Sequence, residues 1–252
     1  MRMIRQVIAV KTADRMLFND HLSELRMRFI RIIITGAIGF TLVYLIRDRI
    51  FEYILKVAED LGYSFIYISP QEVFITELKA SLCGAAIVIF PAVVIELTGF
   101  ILPAIECEIR RSRIYVMYMA GQGLFMLGIV FAYFVLLPLV MKFLYLYSEN
   151  SFAQSSISIE KYISFVMSII LAIAFVFELP LVNVILCRLG VLTSDILRKL
   201  RPGVIIAIFV IAALITPPDV VSQILVAVPM MCLYELSIMI CGRTNDIEGR
   251  IY

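Results

Sequence analysis

The sequence has little of what builds a catalytic site: only 17% of its 252 residues are charged, tryptophan is absent, and histidine occurs once, as His21. No set of nucleophile, base and oxyanion donors can be assembled, and no cluster has metal-ligand spacing. The five cysteines show no CxxC spacing and mostly lie in or beside apolar runs, so we interpret them as packing residues and not as disulfide partners. These scarcities argue against an enzyme, a metal site or a cofactor.

Apolar residues dominate instead: 62% of the chain is hydrophobic and the mean hydropathy is +0.99. A bilayer core about 30 Å thick needs about 20 apolar residues in a spanning helix, and an isolated strand cannot satisfy its backbone in lipid. The sequence therefore predicts an all-α integral membrane protein with six transmembrane helices. The apolar segments are Ile32 to Ile46, Leu82 to Ile105, Ile114 to Leu137, Tyr162 to Cys187, Gly203 to Thr216, and Val220 to Ile240.

Basic residues concentrate before the first segment and in two of the connections, which predicts that these regions and both chain termini are cytoplasmic. They are Arg2, Arg5, Lys11, Arg15, Arg26, Arg28 and Arg31; Arg110, Arg111 and Arg113; and Arg188, Arg198, Lys199 and Arg201. The long outer connections, Arg47 to Ser81 and Pro138 to Lys161, carry aromatic residues typical of structured caps at the membrane interface. The net charge of +2 gives no indication of a nucleic-acid partner.

The fifth segment is short. Gly203 to Thr216 covers roughly 21 Å at about 1.5 Å per residue and runs into Pro217 and Pro218, so we expect a short hairpin with the sixth segment. We interpret residues 1–246 as one membrane domain. Residues 247–252 begin with IEGR, which resembles a protease-cleavage scar left by protein expression.

The stretch before the first segment, FNDHLSELRMRF, has apolar residues at helical spacing, which predicts an amphipathic cytoplasmic entry helix over residues 18–31. One interpretation of its polar face is a solvated helix whose Glu24 and Arg28 form an i,i+4 ion pair. The other is a binding surface made of His21, Glu24, Arg26 and Arg28.

A second group of acids stands in the connection ILPAIECEIRRSR, where Glu106 and Glu108 lie beside three arginines. They oppose the basic bias of the inner face, which suggests a patch that attracts a cation. A carboxylate pair suits a guanidinium group, because it can accept parallel charge-assisted hydrogen bonds.

The apolar segments also hold acids, among them Glu96 in the second and Glu178 in the fourth. An acid at the centre of a span costs about 3 kcal/mol on insertion scales, so Glu178 needs a partner, a proton or water. One alternative is a protonated carboxyl satisfied by a neighbouring helix, and the other is a functional contact. Thr216, Asp219 and Gln223 add polarity to the short hairpin.

Six motifs in this order resemble the TatC family, the multispan receptor subunit of the twin-arginine protein translocase. They are HLSELRMR (21–28), FAYFVLLPL (131–139), YISFVMS (162–168), FELP (177–180), LRKLRP (197–202) and LITPPDVVSQILVAVPM (214–230). The resemblance implies a concave, glove-shaped six-helix bundle whose cytoplasmic face binds the paired arginines of signal peptides on folded cargo proteins.

The resemblance also assigns residues. Glu24 matches the family glutamate that contacts those arginines, whereas the second family glutamate aligns with Ile109, which leaves Glu106 or Glu108 as its substitute. Glu178 matches an acid facing the concavity, and Thr216 and Gln223 match polar positions that contact single-span partners of the TatA and TatB type.

By family analogy, the complex is oligomeric, transport uses the proton-motive force, and the protein resides in the inner membrane of a prokaryote, with a thylakoid membrane as the other option. The main rival is a proton-coupled secondary transporter, which predicts inverted repeats that the sequence does not show. A purely structural assembly protein is the third interpretation.

Overall fold

A computed structural model describes residues 2–104, 111–149, 156–188, 190–216 and 219–248, with side chains described at 23–96, 115–147, 157–187, 190–216 and 219–243. Most of these residues are helical, and a π-helical turn over Ala132–Leu136 joins α4 to α5. The α-helices are α1 (Arg2–Leu45), α2 (Arg47–Glu59), α3 (Pro70–Ala104), α4 (Arg111–Phe131), α5 (Leu137–Glu149), α6 (Ile159–Phe177), α7 (Leu179–Arg188), α8 (Ser194–Ile215) and α9 (Val220–Glu248).

Within the described residues, five helical stretches are long and apolar enough to cross a bilayer, as expected of an integral membrane protein. They are Ser23–Leu45, Pro70–Glu96, Tyr115–Tyr147, Ile159–Cys187 and Val220–Arg243. The fifth predicted segment, Gly203 to Thr216, forms the apolar part of α8 and is not among them, since the first turns of α8 carry several charges. The count of six spans stays a prediction.

The first apolar segment shares one helix with the stretch that precedes it. Residues 18–31 lie within α1, which is 44 residues long. No glycine or proline occurs from Arg2 to Thr35, so nothing in the sequence interrupts the i→i−4 hydrogen bonds. The amphipathic stretch is therefore part of α1 and not a separate element.

The all-α prediction needs one correction, because the two long connections pair through a small parallel sheet. Strand β1 (Ser64–Ile66) lies beside β2 (Ser156–Ser158). The carboxylate of Glu72, in the first turn of α3, accepts hydrogen bonds from the Ser158 hydroxyl and from the Ile68 N–H. Three-residue strands are too short to show alternation in a sequence, and parallel strands pair only through a distant crossover. The described parts of both connections are nonetheless structured, as predicted.

Tyr63, which directly precedes β1, joins the same region to α5. Its hydroxyl donates to the carbonyl of Met141 (3.2 Å), and its ring packs edge-on against Tyr145. Burial raises the pKa of Tyr63 to about 12. The neutral phenol therefore contributes to the free energy of unfolding. That contribution is fully present below the ordinary pKa of the phenol and is lost as the pH rises through 12.

Close helix packing depends on glycine at two positions. Helices α1 and α3 are antiparallel, and a Cβ added at Gly84 would lie 2.7 Å from Cγ1 of Val43. Helices α4 and α6 are also antiparallel, and a Cβ at Gly128 would lie 2.9 Å from the Cα of Ala174. Small residues at these positions let the helix axes approach closely. The resulting van der Waals packing helps to drive the association of helices in lipid.

The prediction that the cysteines serve only packing is wrong for one pair. Cys187, at the end of α7, forms a disulfide with Cys241 of α9, and their Cα atoms lie 6.1 Å apart. Cys83 and Cys232 are free thiols, and Cys107 lies outside the described residues. The bond joins positions 54 residues apart, a separation that cysteine spacing alone does not flag.

Reduction should release two additional thiols from the purified chain. We expect maleimide mass tagging in denaturant to show two more tags after treatment with a reductant than before, because each broken disulfide yields two thiols. Cys83→Ser should keep this increase of two, whereas Cys187→Ser should abolish it. Equal tag numbers before and after reduction would contradict the disulfide.

Candidate functional site

Four charged side chains meet where the middle of α1 packs beside the last part of α3. Arg28 donates from Nε and Nη2 to Oε1 of Glu24, at 3.1 and 2.6 Å, and from Nη1 to Oε2 of Glu96, at 3.1 Å. Nη1 of Arg31 lies 3.0 Å from the other oxygen of Glu96, Oε1. We call Glu24, Arg28, Arg31 and Glu96 the arginine–glutamate cluster.

The helix periodicity of α1 and its antiparallel packing on α3 position the cluster. Glu24, Arg28 and Arg31 stand at positions i, i+4 and i+7, which share one face of a helix. The first apolar segment starts at Ile32, so Glu24, Arg28 and Arg31 precede it, whereas Glu96 lies within the second apolar segment, Leu82 to Ile105. The cluster therefore lies at the end of the α1–α3 contact where the apolar run of α1 begins.

Burial separates an inner pair from an outer pair. The side chains of Arg28 and Glu96 are 17% and 14% exposed, whereas those of Glu24 and Arg31 are 45% and 56% exposed. Arg28 is further fixed by a hydrogen bond from Nη1 to the backbone carbonyl of Glu96 (3.1 Å). The inner pair is therefore largely shielded from water, and the outer pair is accessible from water.

The structure brings together two of the six residues predicted for the inner binding surface, Glu24 and Arg28. Arg26 is exposed on α1. The side chain of His21 lies outside the described side chains, and Glu106 and Glu108 lie wholly outside the described residues. The choice between these two glutamates stays open.

Sequence reasoning missed the role of Arg31, which entered only as an orientation signal, and grouped Glu96 with the intramembrane acids. The structure places Glu96 beside Glu24, although 72 positions separate them in the sequence. One signal could have linked them: consecutive antiparallel spans bring the start of the first close to the end of the second.

Glu178 stands where the fourth apolar segment divides into two helices. Helix α6 ends at Phe177 and α7 begins at Leu179, because Pro180 has no N–H and its ring hinders a continuous helix. Oε1 of Glu178 is buried without a hydrogen-bond partner among the described residues. On the side of α4, a Cβ added at Gly121 would lie 3.4 Å from Oε2 of Glu178.

A buried carboxyl oxygen without a partner is costly, by about 1–3 kcal/mol or more for a charged group. Nε2 of Gln122, the residue after Gly121 on α4, is also buried and unpartnered among the described residues. Unsatisfied polar atoms of this kind need a water or a group from another molecule. Helices α4 and α6/α7 thus carry unmet hydrogen-bonding capacity within the candidate spans.

The other residues predicted to contact partner subunits, Thr216, Asp219 and Gln223, form hydrogen bonds within the α8–α9 hairpin. The hairpin forms as predicted. The Thr216 hydroxyl donates to the carbonyl of Ala212 (2.9 Å), and the Asp219 carboxylate accepts from the N–H of Ser222 (2.7 Å) at the start of α9. Nε2 of Gln223 donates to the carbonyl of Phe209 on α8 (2.9 Å). Of these bonds, that of Gln223 joins the two helices, whereas those of Thr216 and Asp219 satisfy backbone groups at the helix ends.

The described residues contain no group of three or more histidine, cysteine, aspartate or glutamate side chains that could hold a metal ion. The functional chemistry that these residues offer is ion pairing at the arginine–glutamate cluster and an unsatisfied hydrogen-bond acceptor at Glu178.

Comparison with known proteins gives a consistent result. The sequence profile of the family described as TatC, Sec-independent protein translocase protein, matches residues 20–229. Proteins named Sec-independent protein translocase protein TatC are similar to this chain. The one from Desulforapulum autotrophicum is 36% identical over 237 residues, 92% of this chain and 87% of that protein. The one from Aquifex aeolicus is 37% identical over 226 residues, 88% of this chain and 92% of that protein.

A solved structure agrees with the sequence matches. A crystal structure described as the twin arginine translocase receptor TatC superposes with a TM-score of 0.82 at 35% identity, covering 89% of this chain and 98% of that one. The profile match and the relatives, which exceed 30% identity over most of both chains, show that this chain belongs to the TatC family of Sec-independent protein translocase proteins.

Proposed function

We propose that this translocase component is the receptor for twin-arginine signal peptides of folded cargo proteins. The arginine–glutamate cluster is the proposed binding place. The observation that carries the proposal is that Glu24 and Glu96 already hold guanidinium groups close to where the apolar run of α1 begins. The description of a similar solved structure as a twin arginine translocase receptor supports the same conclusion.

The chemistry favours arginine over lysine in such a peptide. A guanidinium group presents planar, parallel N–H donors that match the two oxygens of a carboxylate, whereas an ammonium group is a single point of charge. Glu24 is accessible from water because its side chain is 45% exposed. A peptide that arrives from the aqueous side can therefore reach Glu24 first.

The proposed topology has six spans in a concave, glove-shaped bundle, with both termini in the cytoplasm. Basic residues support this orientation, because they concentrate before the first span and in two connections. The cluster then faces the cytoplasm, where folded cargo is made. The proposed location is the inner membrane of a bacterium.

Glu178 is the proposed contact for single-span partner subunits of the TatA and TatB type. Its unpartnered Oε1 supports this, since a polar group from a partner helix would satisfy it. The hairpin residues Thr216, Asp219 and Gln223 are proposed to shape the neighbouring contact. The proton-motive force is the proposed energy source, with no cofactor. Membership in the translocase family does not favour the rival secondary transporter.

A comparison of twin-arginine and twin-lysine signal peptides tests the receptor proposal. We expect the detergent-purified chain to bind the twin-arginine peptide about tenfold or more tightly, because lysine loses one of two parallel charge-assisted hydrogen bonds. Fluorescence anisotropy with labelled peptides measures both dissociation constants. Equal affinity for the two peptides would contradict the proposal.

A further inference from the structure

The arginine–glutamate cluster is already filled by the protein's own arginines. Each oxygen of the Glu96 carboxylate pairs with a different guanidinium group: Oε2 with Arg28 and Oε1 with Arg31. Since Arg28 also bonds to Glu24, the two carboxylates hold two arginines of α1. The free protein thus resembles a receptor whose ligand position is occupied from within.

The two arginines differ in how firmly they are held. Arg28 is 17% exposed and donates to Glu24, to the carboxylate of Glu96 and to the carbonyl of Glu96. Arg31 is 56% exposed and makes an ion pair with Glu96 at 3.0 Å. An exposed ion pair of this kind contributes little, and its long side chain regains rotamer freedom when it is released. Arg31 is therefore the side chain that can leave.

Charge balance requires one side chain to leave. Counted over its four described side chains, the cluster carries two carboxylates and two guanidinium groups, so these side chains have a formal charge of zero and together offer no net attraction to a third guanidinium. Release of Arg31 into water leaves the described cluster with a net charge of −1 and frees Oε1 of Glu96, whose side chain is 14% exposed while it is paired. A poorly hydrated carboxylate binds a replacement guanidinium more strongly than a fully solvated one.

We propose that Arg31 is a built-in competitor of the signal peptide: it occupies Glu96 in the free protein and is displaced by one of the peptide's arginines. Glu96 is then the second carboxylate of the receptor site, in addition to Glu24. This inference rests on the proposed receptor function. The competition from Arg31 makes the site selective, because only a ligand able to replace the guanidinium group on Glu96 can bind there.

The competition predicts that removing Arg31 tightens binding. We expect Arg31→Gln to lower the dissociation constant for a twin-arginine signal peptide by about fivefold, since the binding-competent form no longer has to be created by breaking the ion pair. Glu96→Gln should raise it by about tenfold, because the freed position no longer carries a charge. Fluorescence anisotropy with the detergent-purified full chain measures both.

The double variant separates competition from general electrostatics. In a Glu96→Gln background, Arg31→Gln should have no further effect if Arg31 acts only by occupying Glu96. A similar tightening in both backgrounds would overturn the inference, because it would show a long-range charge effect. Lys199→Gln removes one positive charge from an exposed position on α8 and serves as the charge-matched control, expected to leave the affinity unchanged.

The results also distinguish this inference from the receptor proposal. If the unmodified chain prefers twin arginine to twin lysine but Arg31→Gln leaves the affinity unchanged, the competitor role is wrong and the receptor stands. If the unmodified chain binds both peptides alike, both fail. Arg31→Lys guards against misfolding: it keeps the charge, loses the fork geometry, and should tighten binding by a smaller factor than Arg31→Gln.

Discussion

Alanine at Glu178 should strongly reduce export of folded cargo while changing the stability of the isolated chain little. Oε1 of Glu178 is buried and unpartnered among the described residues, so its removal costs the chain itself no hydrogen bond at that atom. A partner helix that supplied the missing bond would lose about 1–2 kcal/mol, or about tenfold in affinity. Copurification of tagged single-span partners and the melting temperature of the purified chain measure the two effects.

The two readouts separate a partner contact from a structural role. A structural role predicts a lower melting temperature for Glu178→Ala, with export falling only as protein is lost. Glu178→Gln keeps the size and the hydrogen-bonding atoms, so it should retain most partner binding if hydrogen bonding and not charge is required. Glu52→Ala, at an exposed position on α2, is the matched control. Normal export by Glu178→Ala at normal abundance would contradict the proposed contact.

The helical, membrane-spanning character of the chain could be predicted because it depends on local composition. Each long apolar run is helical over most of its described residues, since lipid leaves the backbone few alternatives. The α8–α9 hairpin could also be predicted from local sequence. The two apolar runs are separated only by Thr216, two prolines and Asp219, which leaves room for a tight turn and nothing longer. Helix ends were less predictable: Pro180 divides the fourth segment, whereas Pro202 lies inside α8.

Contacts between distant residues could not be predicted in the same way. Nothing in the sequence around Cys187 identifies Cys241 as its disulfide partner, and nothing around Ser64 identifies Ser156 as the residue opposite it. The same holds for Glu96 and the arginines of α1. Such pairs depend on how distant elements pack against one another. In α1 and α3, for example, the packing includes the close contact at Gly84, which no local sequence signal indicates.

A lysine in place of Glu24 should reduce the affinity for a twin-arginine signal peptide by about 100-fold or more. The change removes a charge-assisted hydrogen bond worth about 1.5–3 kcal/mol and puts a cation where the peptide's guanidinium groups arrive. Membrane insertion should be unaffected, because the apolar run that directs it starts at Ile32. Equilibrium binding of the labelled peptide to the purified variant measures the loss.

Two variants control for misfolding and for overall charge. Glu59→Lys makes the same charge reversal at an exposed position near the end of α2, away from the cluster, and should bind the peptide normally. Glu24→Gln keeps the size of the side chain and should show an intermediate loss, because an amide oxygen still accepts one neutral hydrogen bond.

Cross-linking tests most directly whether the arginine–glutamate cluster is where the signal peptide binds. A twin-arginine signal peptide carrying a photoreactive group next to its arginines is irradiated with the membrane-embedded chain, and the labelled residues are mapped by mass spectrometry. We expect labels on α1 and α3 around Glu24 and Glu96. These labels should be lost in Glu24→Lys and kept in Glu59→Lys. Labels at the opposite end of these helices, around β1 and β2, or an undiminished yield in Glu24→Lys, would contradict this expectation.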